Sequence, residues 1–148
     1  MSWTAWRADP AKLPPLFAKL KARYRLGAKA DSLDQQLADV RYIDCSGAFR
    51  LIAWKFAGAK LPDGSWHQAR WLDDNGFKVS DVASAKLKDG HLRAFQLPPS
   101  PGRVGHIGFV LDGKTYESYG GQGAGSREWN GAGWQGRCKV WVLARKAG

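Results

Sequence analysis

The sequence predicts an α+β domain, helical in its first half and built on antiparallel strands in its second. Three observations carry that expectation. Leu13, Leu16, Phe17 and Leu20 recur at helical spacing, and a second apolar run (Ala48, Phe49, Leu51, Ile52, Ala53, Trp54, Phe56) follows Asp44-Cys45. From residue 91 onward the runs Leu92 to Leu97, Ile107 to Leu111, Lys114 to Tyr119 and Lys139 to Ala144 read as strands. Between two of them, Asp112-Gly113 is a two-residue hairpin turn, because both positions favour positive φ. With 148 residues, 44% of them hydrophobic, the chain is expected to form one domain, with no repeat and no linker dividing it.

Taken in order, Asp9-Pro10 reads as a cap and first-turn proline for a helix running to about Arg23 or Tyr24 and stopping near Gly27. Leu33, Leu37 and Val40 line a short second helix. The helix after Cys45 is expected to end near Gly58. Pro62, Gly64 and Gly76 mark a loop, with one short helix through His67 to Leu72 and another over Val79 to Lys86. Seven glycines between residues 120 and 136 predict a surface loop without regular structure.

Composition narrows the function classes. No apolar run reaches 18 residues, so no membrane insertion is expected. Met1 to Ala11 lacks the basic start, apolar stretch and small-residue cleavage site of a secretory signal. The net charge of +10 (23 basic, 13 acidic residues) suits an anionic partner, and equally suits a merely solvated basic surface. Basic residues cluster at Lys12 to Lys29, Lys55 to Lys60 and Arg145-Lys146, none interleaved with the aromatics of an RNA-binding module, so no nucleic-acid partner is expected. His67, His91 and His106 are scattered and there is no C-x-x-C pair, so no metal site is expected either.

The chemistry points to Cys45. A helix start concentrates unpaired N–H groups and partial positive charge, a field that favours thiolate, the nucleophilic form. His106, in Gly105-His106-Ile107-Gly108-Phe109, heads a strand-like run and suits the partner base. Cys138 alternates with Val140 and Val142 and reads as a buried strand residue, not as a disulfide partner of Cys45. His91 reads as structural and His67 as exposed.

Three segments, Tyr24-Arg25-Leu26-Gly27-Ala28, Asp44-Cys45-Ser46-Gly47-Ala48-Phe49 and Gly105-His106-Ile107-Gly108-Phe109, occur in the order seen in NlpC-like cell-wall cysteine peptidases, which the chain resembles over roughly residues 24 to 144. The resemblance implies a papain-like α+β fold, with N-terminal helices on an antiparallel sheet and the nucleophile at a helix N-terminus. It implies Cys45 as nucleophile, His106 as general base and acid, and no metal or organic cofactor. The family's third, polar residue falls near Glu117, a departure from its commoner histidine, asparagine or glutamine; Ser118 and a backbone carbonyl remain alternatives. Tyr24 is implied as a substrate or oxyanion donor, or else a packed helix-end tyrosine. Asp44 and Ser46 are implied to recognise a free amino group of the stem peptide, with capping of the helix as the other role open to Asp44.

The implied partner is bacterial peptidoglycan, cut at an amide bond of the stem peptide, between D-glutamate and the following diamino acid. Without a visible export signal, such an enzyme is expected to be made in the cytoplasm and to reach the wall by delivery, as a phage lysis or tail enzyme or an injected effector. Two alternatives stand beside it: a cysteine acyltransferase on the same scaffold, and a non-catalytic wall-binding module. Trp66, Trp71, Trp129 and Trp134 are candidates to line a substrate groove or to shield a small core, and the stretch Ser126-Arg127-Glu128-Trp129 is a candidate lid.

Overall fold

A computed structural model describes residues 6–79 and 82–145, the side chains of 82 and 83 excepted. Among them are three α-helices, α1 (Leu13–Phe17), α2 (Cys45–Ala57) and α3 (Ser65–Asn75), and six strands: β1 (Phe77–Val79), β2 (Leu92–Leu97), β3 (His106–Leu111), β4 (Lys114–Tyr119), β5 (Gly123–Gly125) and β6 (Lys139–Ala144). The strands form one antiparallel sheet in the order β1-β6-β2-β3-β4-β5. The fold is α+β, as the sequence predicts.

Helix α2 begins and ends where its sequence says. Asp44 caps it through a hydrogen bond from Gly47 N (2.7 Å), and Gly58 closes it at φ 65°. The hairpin turn between β3 and β4 is Asp112-Gly113, with φ of 50° and 78°.

Elsewhere the boundaries differ. The first helix stops at Phe17 after a 3-10 turn at Pro10–Lys12, because the chain beyond Leu20 is drawn out by tertiary hydrogen bonds. Arg23 N donates to Arg41 O (2.8 Å), Ile43 N to Arg23 O (2.9 Å), and Ala124 N to Ala22 O (2.9 Å). A single 3-10 turn, Leu37–Asp39, replaces the expected second helix. Helix α3 is longer than the expected His67 to Leu72. The expected helix over Val79 to Lys86 falls partly on residues 80 and 81, outside those described; β1 precedes them and a 3-10 turn at Val82–Lys86 follows. The glycine-rich stretch contains β5 and a 3-10 turn at Gly133–Arg137. Residues 1–5 of the segment read for a signal, and Lys146 of the last basic pair, also lie outside the described residues.

The sheet separates two apolar clusters. On one face α1, α2 and α3 pack against Leu92, Ala94, Ile107, Phe109, Trp141 and Leu143. On the other, Phe95, Val110, Cys138 and Val140 pack with Ala85 and Trp129. Directly paired residues share a face, so alternation along β2, β3 and β4 decides what sits beside the site. Arg93 pairs with Val110 and Val110 with Thr115, which places Thr115 and, two residues on, Glu117 on the face opposite α2.

Candidate active site

Cys45 is the first residue of α2 and His106 the first of β3, so both stand at element ends. Cys45 Sγ lies 3.9 Å from Gly105 O, and the Cys45 side chain lies beside the His106 ring, close enough to strengthen its hold on a proton. His106 Nε2 meets Glu117 Oε1 at 2.5 Å, which leaves Nδ1 as the nitrogen for the sulfur. Sulfur, imidazole and carboxylate thus form one connected row.

Two glycines make that row possible. A Cβ at Gly108 would lie 2.8 Å from the Phe95 ring and 2.9 Å from Glu117 Cβ, so only glycine lets Glu117 lie against β3 beneath His106. A Cβ at Gly105 would lie 2.7 Å from Ser65 Oγ and 2.9 Å from Leu97 O, which would displace the carbonyl beside Cys45. The start of α2 is held as firmly. Gln68, fully buried on α3, donates through Nε2 to Ser46 O and Pro62 O (both 2.9 Å), and Ser118 Oγ donates to Ile43 O (2.8 Å). The backbone N–H of Cys45 has no partner among the described residues, so it remains a free donor beside the sulfur.

The electrostatics follow from burial and partners. Burial alone pushes the His106 imidazole down, but the hydrogen bonds to Cys45 and Glu117, with their negative charges, outweigh it and lift it to about 9. Glu117, whose side chain is wholly buried, is driven up by desolvation and more strongly down by His106, Arg127 and Thr115, so it stays ionised. Arg127 grips both of its oxygens, Nε to Oε2 at 3.0 Å and Nη2 to Oε1 at 2.5 Å, while Thr115 Oγ1 donates to Oε2. An imidazolium held by a buried carboxylate beside a cysteine at a helix start is the chemical character of this row.

Of the residues read from the sequence, Cys45, His106 and Glu117 are brought together. Ser118 is directed elsewhere, to Ile43 O. Tyr24 is half-buried, and burial first, then the charges of Cys45 and Asp44, raise its phenol above the ordinary value. Asp44 and Ser46 flank Cys45, but their polar atoms are occupied: Lys29 Nζ donates to Asp44 Oδ1 (2.6 Å), Asp44 Oδ2 (2.5 Å) and Ser46 Oγ (2.9 Å), and Gly27 N also donates to Asp44 (3.2 Å). The cap and this internal ammonium together engage the carboxylate that the resemblance assigns to a substrate amine. His67 is exposed.

The stretch read as a lid is tied down. Arg127 and Thr115 exchange hydrogen bonds (Thr115 N to Arg127 O, 2.7 Å; Arg127 N to Thr115 Oγ1, 2.8 Å), and Trp129 N donates to Gly113 O (2.8 Å). Trp129 is buried against Phe95, Trp134 lies edge-on to His106 at 5.8 Å, and Trp66 stands exposed on α3. Sequence reasoning missed Lys29 and Thr115 as neighbours of the site, and it placed Arg127 in a lid rather than on Glu117. The spacing of Thr115 and Glu117, two apart on one strand, is the one local signal that placed them on a common face. Among the described residues no group of three His, Cys, Asp or Glu side chains could hold a metal ion, and no helix is long and apolar enough to cross a membrane.

The site's access is narrow. Cys45 is 8% exposed and the His106 side chain 17%. A concavity of about 260 Å³ borders the start of β3, lined by Leu97, Pro99, Arg103, Val104 and Arg137. No protein-family model matches the chain, and no curated protein matches it.

Proposed function

We propose that this chain is a papain-like cysteine hydrolase of the NlpC-like kind, cleaving an amide bond in the stem peptide of bacterial peptidoglycan. The observation that carries the reading is the connected row Cys45–His106–Glu117, with the sulfur at the first turn of α2 and the carboxylate on the far nitrogen of the imidazole. In this mechanism Cys45 Sγ attacks the scissile carbonyl carbon and forms a C–S bond. The Cys45 N–H, and the Tyr24 hydroxyl beside it, donate to the developing oxyanion. The C–N bond breaks as the imidazolium gives its proton to the leaving amine. Water, deprotonated by His106, then attacks the thioester; the C–S bond breaks and Cys45 is restored. Glu117 holds the ring by accepting from Nε2 throughout.

The stem peptide as substrate rests on the motif resemblance and on the basic charge suited to an anionic wall. Delivery to the wall from the cytoplasm belongs to the same proposal. Digestion of purified sacculi and muropeptides, read by mass spectrometry, tests it. The expected products are two fragments from one stem-peptide bond with wild type and none with Cys45→Ala. Intact muropeptides with wild type overturn the reading, and a newly joined amide or ester would reassign the chain to acyl transfer.

A further inference from the structure

We propose that Arg127 is a positioning residue of this site: clamped between two aromatic rings, it holds the Glu117 carboxylate against His106 as the one permanent cation paired with it among the described residues. The catalytic meaning rests on the reading of Cys45 as nucleophile.

The side chain of Glu117 is fully buried, and a buried carboxylate is costly unless it is paired and hydrogen-bonded. Its neighbours are His106 from β3, Thr115 from its own strand, Arg127 from the loop after β5, and the Cys138 thiol at the start of β6. Thr115 supplies a neutral hydrogen bond. Cys138 supplies no charge, because burial and Glu117 itself push its thiol up to about 12. His106 is a cation only while protonated, and in the proposed cycle it gives that proton to the leaving amine. At that moment Arg127 is the cation left paired with the carboxylate among the described residues. Without it, Glu117 would compete for the proton that must return to His106.

The geometry fits that task. Arg127 presents Nε and Nη2 as a fork to both carboxylate oxygens, an arrangement that a lysine ammonium does not reproduce. Its guanidinium lies 4.0 Å over the Tyr119 ring and 4.8 Å from that of Trp134, and Trp134 in turn packs edge-on to His106. Its backbone is bound to Thr115 on both sides. Side chain, main chain and rings together leave the fork one orientation.

Alkylation of Cys45 by iodoacetamide, followed across pH by peptide-resolved mass spectrometry, reads the site without any peptide substrate. Arg127→Met removes the fork that holds Glu117 against His106, so the imidazolium that serves Cys45 is less well held. Alkylation near about pH 6 is expected to be roughly tenfold slower than in wild type. Arg127→Lys restores the charge but not the fork and is expected to fall between the two. A methionine profile superimposable on wild type overturns the proposal. Should the methionine variant not fold, the lysine variant decides, and identity with wild type overturns it equally. Wild-type Cys45 that fails to react at all sinks the underlying reading instead, whereas a reactive wild type with unshifted variants sinks this proposal alone.

Discussion

Cys138 carries the same thiol as Cys45 and meets a different environment. It packs with Phe95, Val140 and Trp129, lies 3.6 Å from Trp134 O, and is held protonated by burial and by the Glu117 charge. Cys45 meets an imidazolium and the open start of a helix. Cys138→Ala is therefore expected to retain Cys45 alkylation and muropeptide cleavage, with only a lowered melting temperature; loss of cleavage in a folded variant would contradict this. Cys45→Ala is expected to abolish cleavage while leaving the melting temperature within a few degrees. Glu117→Gln keeps the shape and removes the charge that steadies His106, and is expected to lower kcat by roughly 10²-fold or more without erasing it. Unchanged kcat would remove Glu117 from the site. At this scale Cys45 and His106 were legible because each has a local signature, a helix start and a glycine-flanked strand start. Glu117 was reachable by counting through the hairpin. The partners of Arg127 and Lys29 were not legible, because they are 10 and 15 residues away and only tertiary folding joins them.

At the scale of elements, α2 and the β3–β4 hairpin place the site. The sequence specified both, through Asp44 and Gly58 at the helix ends and Asp112-Gly113 at the turn. What it did not reveal was where the first helix stops, since backbone pairing of residues 22 and 23 with residues 41, 43 and 124 overrides the helical spacing of Leu16 and Leu20. Strand β1 was missed because three residues at a sheet edge, two of them exposed, carry too short a pattern to read. Gly108 supplies an element-scale test. A methyl there must push aside the Phe95 ring and Glu117, so Gly108→Ala is expected to cost ~1–3 kcal/mol in denaturant unfolding and to slow cleavage. A variant with wild-type stability and activity would show that the strand does not need that space.

Over the whole molecule, the two coupled ionisations tie stability to pH. The folded-state value of His106 is raised from 6.5 to about 9, so its contribution is complete below 6.5 and is lost as pH rises through about 9. Glu117 is lowered from 4.5, so its contribution is present above 4.5 and is lost as pH falls through its lower folded-state value. Thermal unfolding is thus expected to be most resistant between about 4.5 and 6.5 as far as these two groups decide it, and His106→Ala should flatten the alkaline decline. Basic residues far apart in sequence also converge: Lys19, Lys21 and Lys55 line a concavity of about 510 Å³, with Lys55 ten residues along α2 from Cys45, about 15 Å by helical rise. The α+β layout was legible at this scale, whereas the charge balance around Glu117 was not, since it depends on which faces the strands turn to one another. The sulfur–imidazole coupling is tested most directly by NMR titration of the His106 ring in wild type and in Cys45→Ala. The account predicts a midpoint near 9 in wild type that drops when the sulfur is removed. A midpoint near 6.5 in both proteins would contradict it.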